Sequence, residues 1–87
     1  MNIKETYAVI TSDFVEAAHA FRLGQEAEGS QRLREGLDLL EPLLSSHPKA
    51  QVIFQLIPNM LAAQERHDWL GLADYLEHEL SALLSQT

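Results

Sequence analysis

Cysteine is absent from this chain, and basic residues are scarce: six Lys and Arg stand against thirteen Asp and Glu, a formal charge of −7 over 87 residues. Without thiols there is no disulfide framework, thiolate zinc site or iron–sulfur cluster. With so few cations, tracking along nucleic acid or along an anionic membrane is excluded, because both need concentrated Lys and Arg. Long apolar runs are missing too. The longest uncharged stretch, Ala50 to Gln64, is shorter than the roughly 20 residues a membrane span needs, and it carries Gln51, Gln55, Pro58 and Asn59. Near the N-terminus, Tyr7-Ala8-Val9-Ile10 is cut off by Thr11-Ser12-Asp13, which leaves no secretory leader. The expectation is one small cytoplasmic domain over residues 1–87.

What the chain does have is helical rhythm. Ile3, Tyr7, Ile10, Phe14, Ala17 and Phe21 recur at alternating spacings of four and three, which places them on one helical face. Asn2 with Glu5 three positions on reads as a capping box, and Gly24 as the stop. Gly29-Ser30 extends the break or opens the next helix, whose stripe is Leu33, Leu37, Leu40 and Leu44 with Leu39 and Leu43 beside it. Pro42 lies inside that pattern and predicts a kink or an end. Ser45-Ser46-His47-Pro48 then restarts the chain, with Ser46 or His47 as cap and Pro48 in the first turn.

The third segment is the unusual one. Val52, Ile53, Phe54, Leu56, Ile57, Met60 and Leu61 cover an arc of roughly 200° on a helical projection, about twice what a helix on one side of a small core requires. No charge occurs between Lys49 and Glu65, and Pro58 predicts a bend. Two readings follow. Either this helix is central and surrounded by the others, or part of its face is covered by a second molecule. The fourth segment is capped by Asp68 and carries the stripe Trp69, Leu72, Leu76, Leu80 and Leu83. With short breaks between segments, the expected fold is all-α, an antiparallel up-down bundle of four helices at about 3–23, 30–45, 48–66 and 68–85.

Chemistry finds little purchase. Glu16 and His19 have the Glu-x-x-His spacing of carboxylate-bridged metal bundles, but such sites need a second pair and further inward carboxylates, and the chain has no second pair. Asp74 and His78 are four apart on the polar side of segment four, and no nucleophilic Ser sits in a strand–turn–helix elbow to use them. Gly24, Gly29, Gly36 and Gly71 are too scattered for a phosphate loop, and Arg32 and Arg34 point in different directions on a helix. No catalytic residue, metal ligand or cofactor is expected.

The stretch Gln64-Glu65-Arg66-His67-Asp68-Trp69-Leu70-Gly71-Leu72-Ala73-Asp74-Tyr75-Leu76-Glu77-His78-Glu79-Leu80 resembles the closing helical hairpin of small, mostly uncharacterised bacterial helical-bundle proteins. The layout of the whole chain is similar to the small acidic chaperones of flagellar and type III export. That resemblance implies a cytoplasmic bundle holding the apolar segment of a secreted subunit. The reading taken forward is a non-catalytic protein-binding module that receives an amphipathic helix, with a self-associating homodimer as the alternative. Phe54, Ile57, Leu61, Trp69 and Tyr75 are the candidate interface residues, Trp and Tyr being frequent interface anchors.

Overall fold

The computed structural model describes residues 2–85, which form four helices and no strand. We label them α1 (Ile3–Arg22), α2 (Glu26–Leu44), α3 (Ala50–Glu65) and α4, the last running through Trp69–Asp74, a wide π-helical section Tyr75–Leu80, and Ser81–Leu84. A 20-residue helix is about 30 Å long. The molecule measures 33 × 25 × 18 Å, and successive helices reverse direction: Tyr7 Oη donates to the Leu43 carbonyl at 3.3 Å, Gln64 Nε2 donates to Ser30 Oγ at 3.2 Å, and Val52 lies beside Leu83. The all-α bundle follows the sequence expectation.

The capping box is present: the Glu5 N–H donates to Asn2 Oδ1 at 2.9 Å, and the Asn2 N–H donates back to Glu5 Oε2 at 3.4 Å. At the other end of α1, Gly24 takes φ +77, and the N–H groups of Gly24 and Gln25 return to the carbonyls of Phe21 and Ala20. That pair of bonds is a Schellman turn. α3 ends in the same motif, with His67 at φ +59 and the N–H groups of His67 and Asp68 bonded to Gln64 and Ala63 carbonyls. Asp68 then caps α4 by accepting from the Gly71 N–H at 3.1 Å.

Three local expectations need correction. Gly29-Ser30 is not a break: α2 starts at Glu26, and Gly29 lies inside it. A Cβ on Gly29 would stand 2.6 Å from the Phe21 ring, and one on Gly36 would stand 2.6 Å from the Phe14 ring. These glycines therefore make room for two aromatic rings of α1. Pro48 is not in a first helical turn either. It sits in a turn in which the Ala50 N–H donates to the His47 carbonyl at 3.1 Å and the Lys49 N–H donates to His47 Nδ1 at 2.9 Å. The third correction concerns position. α1, not α3, is the central helix.

α1 lies between α2 and α4 and buries Tyr7, Ile10, Phe14, Ala17, Ala18, Ala20 and Phe21. α3 packs mainly on α4 and buries only Ile53, Leu56, Met60 and Ala63. Neither Pro42 nor Pro58 splits its helix; α2 continues to Leu44 and α3 to Glu65. Inside α4 the Ser81 hydroxyl donates to the Leu76 carbonyl at 2.7 Å across the wide turn.

Candidate protein-binding groove

Unlike α1 and α2, the backbones of α2 and α3 stay apart over most of their length. They are tied at one end by the 45–49 connection. At the other end Gln64 Nε2 donates to Ser30 Oγ at 3.2 Å. Between these ties lies an open groove of about 330 Å³ lined by Leu37, Leu40 and Leu44 of α2 and by Phe54, Ile57 and Pro58 of α3, with Glu41 the one charged group in its wall. A shallower continuation runs past Leu37 to Leu61, where Arg34 and Asp38 form the edge.

Helix geometry explains why both walls are apolar. In α3 the buried Ile53, Leu56, Met60 and Ala63 occupy one side, and the extra apolar residues that broadened the arc fall beside them. Phe54 is 54% exposed and Leu61 47% exposed, with Ile57 half-buried between them. Val52, 47% exposed, falls on the other flank beside Glu79 and Leu83. Phe54 and Leu61 share this side of α3, while the other exposed large apolar side chains, Ile3, Val9, Leu23, Leu39, Val52 and Leu70, do not line the groove.

Three of the five candidate residues, Phe54, Ile57 and Leu61, come together on this face. Trp69 does not. Its ring stacks on Phe21 at 5.1 Å and 4°, and His67 also stacks on it at 5.3 Å and 23°. It is a half-buried closure of the core at the start of α4. Tyr75 likewise packs against the core from α4 and does not line the groove. The leucines of α2 were missed as candidates because Leu33, Leu37, Leu40 and Leu44 read as one core stripe. Leu37 in fact stays half-buried at the stripe's edge, and its one-sided exposure has no signature in a 3–4 spacing.

The ion pairs lie away from the groove. Arg22 of α1 holds Asp74 at 3.0 Å and also bonds Glu77, while His19 Nε2 stands 3.9 Å from Glu77. Arg32 of α2 reaches Glu16 at 3.2 Å and Glu35 at 3.9 Å. So Glu16 and His19 point to different partners, and Asp74 pairs with Arg22 in place of His78. Partial burial, reinforced by Glu35 and opposed by Arg32, pushes the Asp13 carboxyl above its usual range. Among the described residues, no group of three or more His, Asp or Glu could hold a metal ion, and no helix is long and apolar enough to cross a membrane.

Comparisons of the chain with protein-family models, with curated proteins and with solved structures return no match.

Proposed function

We propose that this chain is a cytoplasmic protein-binding module that carries out no chemistry of its own and binds through the α2–α3 face. The observation that supports this most is the placement of Phe54 and Leu61. Both are large, apolar and half exposed, and both stand at the wall of a groove whose floor is leucine. A core helix has no use for such side chains, whereas a groove with apolar walls takes the ridge of another helix. In the form implied by the similarity to export chaperones, that helix belongs to a secreted subunit. In the alternative form, it belongs to a second copy of the chain.

The test is site-specific photo-crosslinking in cells that produce the chain, with the photoreactive residue at position 54 or, as control, at the exposed position 28 on α2. The reading expects a protein adduct from position 54 that disappears with Leu61→Glu, and none from position 28. Equal yields from the two positions, or no adduct from either, would remove it.

A further inference from the structure

We infer that α3 is a hinged cover: it lifts off the α1–α2–α4 core as a unit, swinging on the 45–49 and 66–68 connections, while the other three helices stay packed. The attachments of α3 carry the inference. It holds to the bundle through Ile53, Leu56, Met60 and Ala63, mainly against α4. Among the described residues, ion pairs join α1 to α2 and α1 to α4, but none joins α3 to another helix. One side-chain hydrogen bond does, from Gln64 Nε2 to Ser30 Oγ at 3.2 Å.

The helix is also weakly held within itself. Val52, Ile53 and Ile57 are β-branched, and Pro58 has no N–H for the Phe54 carbonyl. The first turn has no side-chain cap. The last closes through His67 at φ +59, a left-handed backbone that a non-glycine residue adopts at a cost. Each of these lowers the free energy needed to release α3 without touching the other helices.

Both connections end at fixed points on α1. His47, 5% exposed, packs its ring 5.1 Å from that of Tyr7 and accepts the Lys49 N–H on Nδ1. Trp69 stacks on Phe21. Along α1, Tyr7 and Phe21 are about 21 Å apart at the helical rise. Residues 48–68, even as coil, average roughly 25 Å end to end. So α3 can leave without pulling on either anchor. The rest stays joined by Phe14 and Phe21 against Gly36 and Gly29, and by Arg22 to Asp74. Opening widens the α2–α3 groove towards the side of α4 on which α3 rests, and it needs no ligand.

The test is native-state hydrogen exchange on the full chain, followed amide by amide. Amides in the middle of α3, from Leu56 to Ala63, are expected to share one opening. That opening should be at least about a hundredfold more frequent than the one that exposes the slowest amides of α1, α2 and α4. Ser30→Ala, which removes the tie and leaves α2 helical, should make it about fivefold more frequent. Gly36→Ala acts between α1 and α2, so it should shift the slowest set about tenfold and leave the α3 set where it was. If α3 amides are as slow as the slowest set, or move in step with it in Gly36→Ala, α3 leaves only on global unfolding and the inference is overturned. Amides of α3 that open one by one from its ends overturn it as well.

Discussion

α1 and α3 are both rich in apolar residues, yet one became the centre of the bundle and the other an outer wall. The difference lies less in the helices than in what faces them. α1 meets Gly29 and Gly36 on α2, seven residues apart on one side, and the rings of Phe21 and Phe14 drop into the space those glycines leave. α2 can then approach α1 closely, while Ala17 and Ala18 lie fully buried on α1 itself. α3 has no comparable small-residue partner on α2. It rests on α4 through four buried side chains and keeps Val52, Phe54 and Leu61 in water. Apolar content alone does not make a helix central; a neighbour that admits close approach does.

Substitutions on the two helices should separate accordingly. The largest effect belongs to Phe14→Ala, which removes a fully buried ring and should cost about 3–5 kcal/mol in chemical denaturation. Gly36→Ala should follow at about 1–3 kcal/mol, because the new methyl collides with Phe14 even though alanine favours a helix. A stabilising result there would show that the glycine is not what lets α1 and α2 meet.

The ends of α1 and α3 allow a cleaner contrast, since the same turn closes both with different residues. His67→Gly should stabilise the fold by about 0.5–1 kcal/mol through relief of its left-handed backbone, reduced by loss of the stack on Trp69. Gly24→Ala should destabilise by a similar amount. Phe54→Glu, measured on dilute protein, should change unfolding free energy by no more than about 0.5 kcal/mol, as for other exposed positions. A loss like that of Phe14→Ala would place Phe54 in the core and erase the contrast.

The smallest effect is electrostatic. Asp13 has its folded-state pKa raised above 3.8, so the folded protein holds that proton more tightly than the unfolded chain does. Its contribution to stability is then lost as pH rises from 3.8 through the raised folded value, and the charge is a slight burden at neutral pH. Asp13→Asn should raise Tm by about 1–2 °C at neutral pH, with the gain fading towards pH 3.8. A gain that persists unchanged in acid would assign it to something other than ionisation.

Much of this architecture is legible in the sequence because it depends on neighbours in the chain. The stripe of α1, the Asn2–Glu5 capping box, the stop at Gly24 and the cap at Asp68 are all set within a few residues, and all appear where the spacing puts them. What depends on distant residues was harder to read. A glycine that makes room for a ring on another helix looks the same in sequence as one that ends a helix, so Gly29 read as a break. The wide turn at Tyr75–Leu80 has no composition of its own. Trp69 read both as core packing and as an anchor for a partner, and Phe21, 48 positions earlier, stacks on it. The arc of α3 was visible from the start; which side of it the fold would leave open depended on α2.

The most direct measurement is a dilution series followed by amide chemical shifts. If α3 is the face through which the chain binds its own copy, shifts should move with concentration for residues of α3 and for the Leu37–Leu44 stretch that walls the groove with it. Those on α1 and around Trp69 should stay fixed. Shifts that stay constant throughout would contradict the self-associating form, and shifts that move instead on the α1–α4 side where Arg22 meets Asp74 and Glu77 would contradict α3 as the outward binding helix.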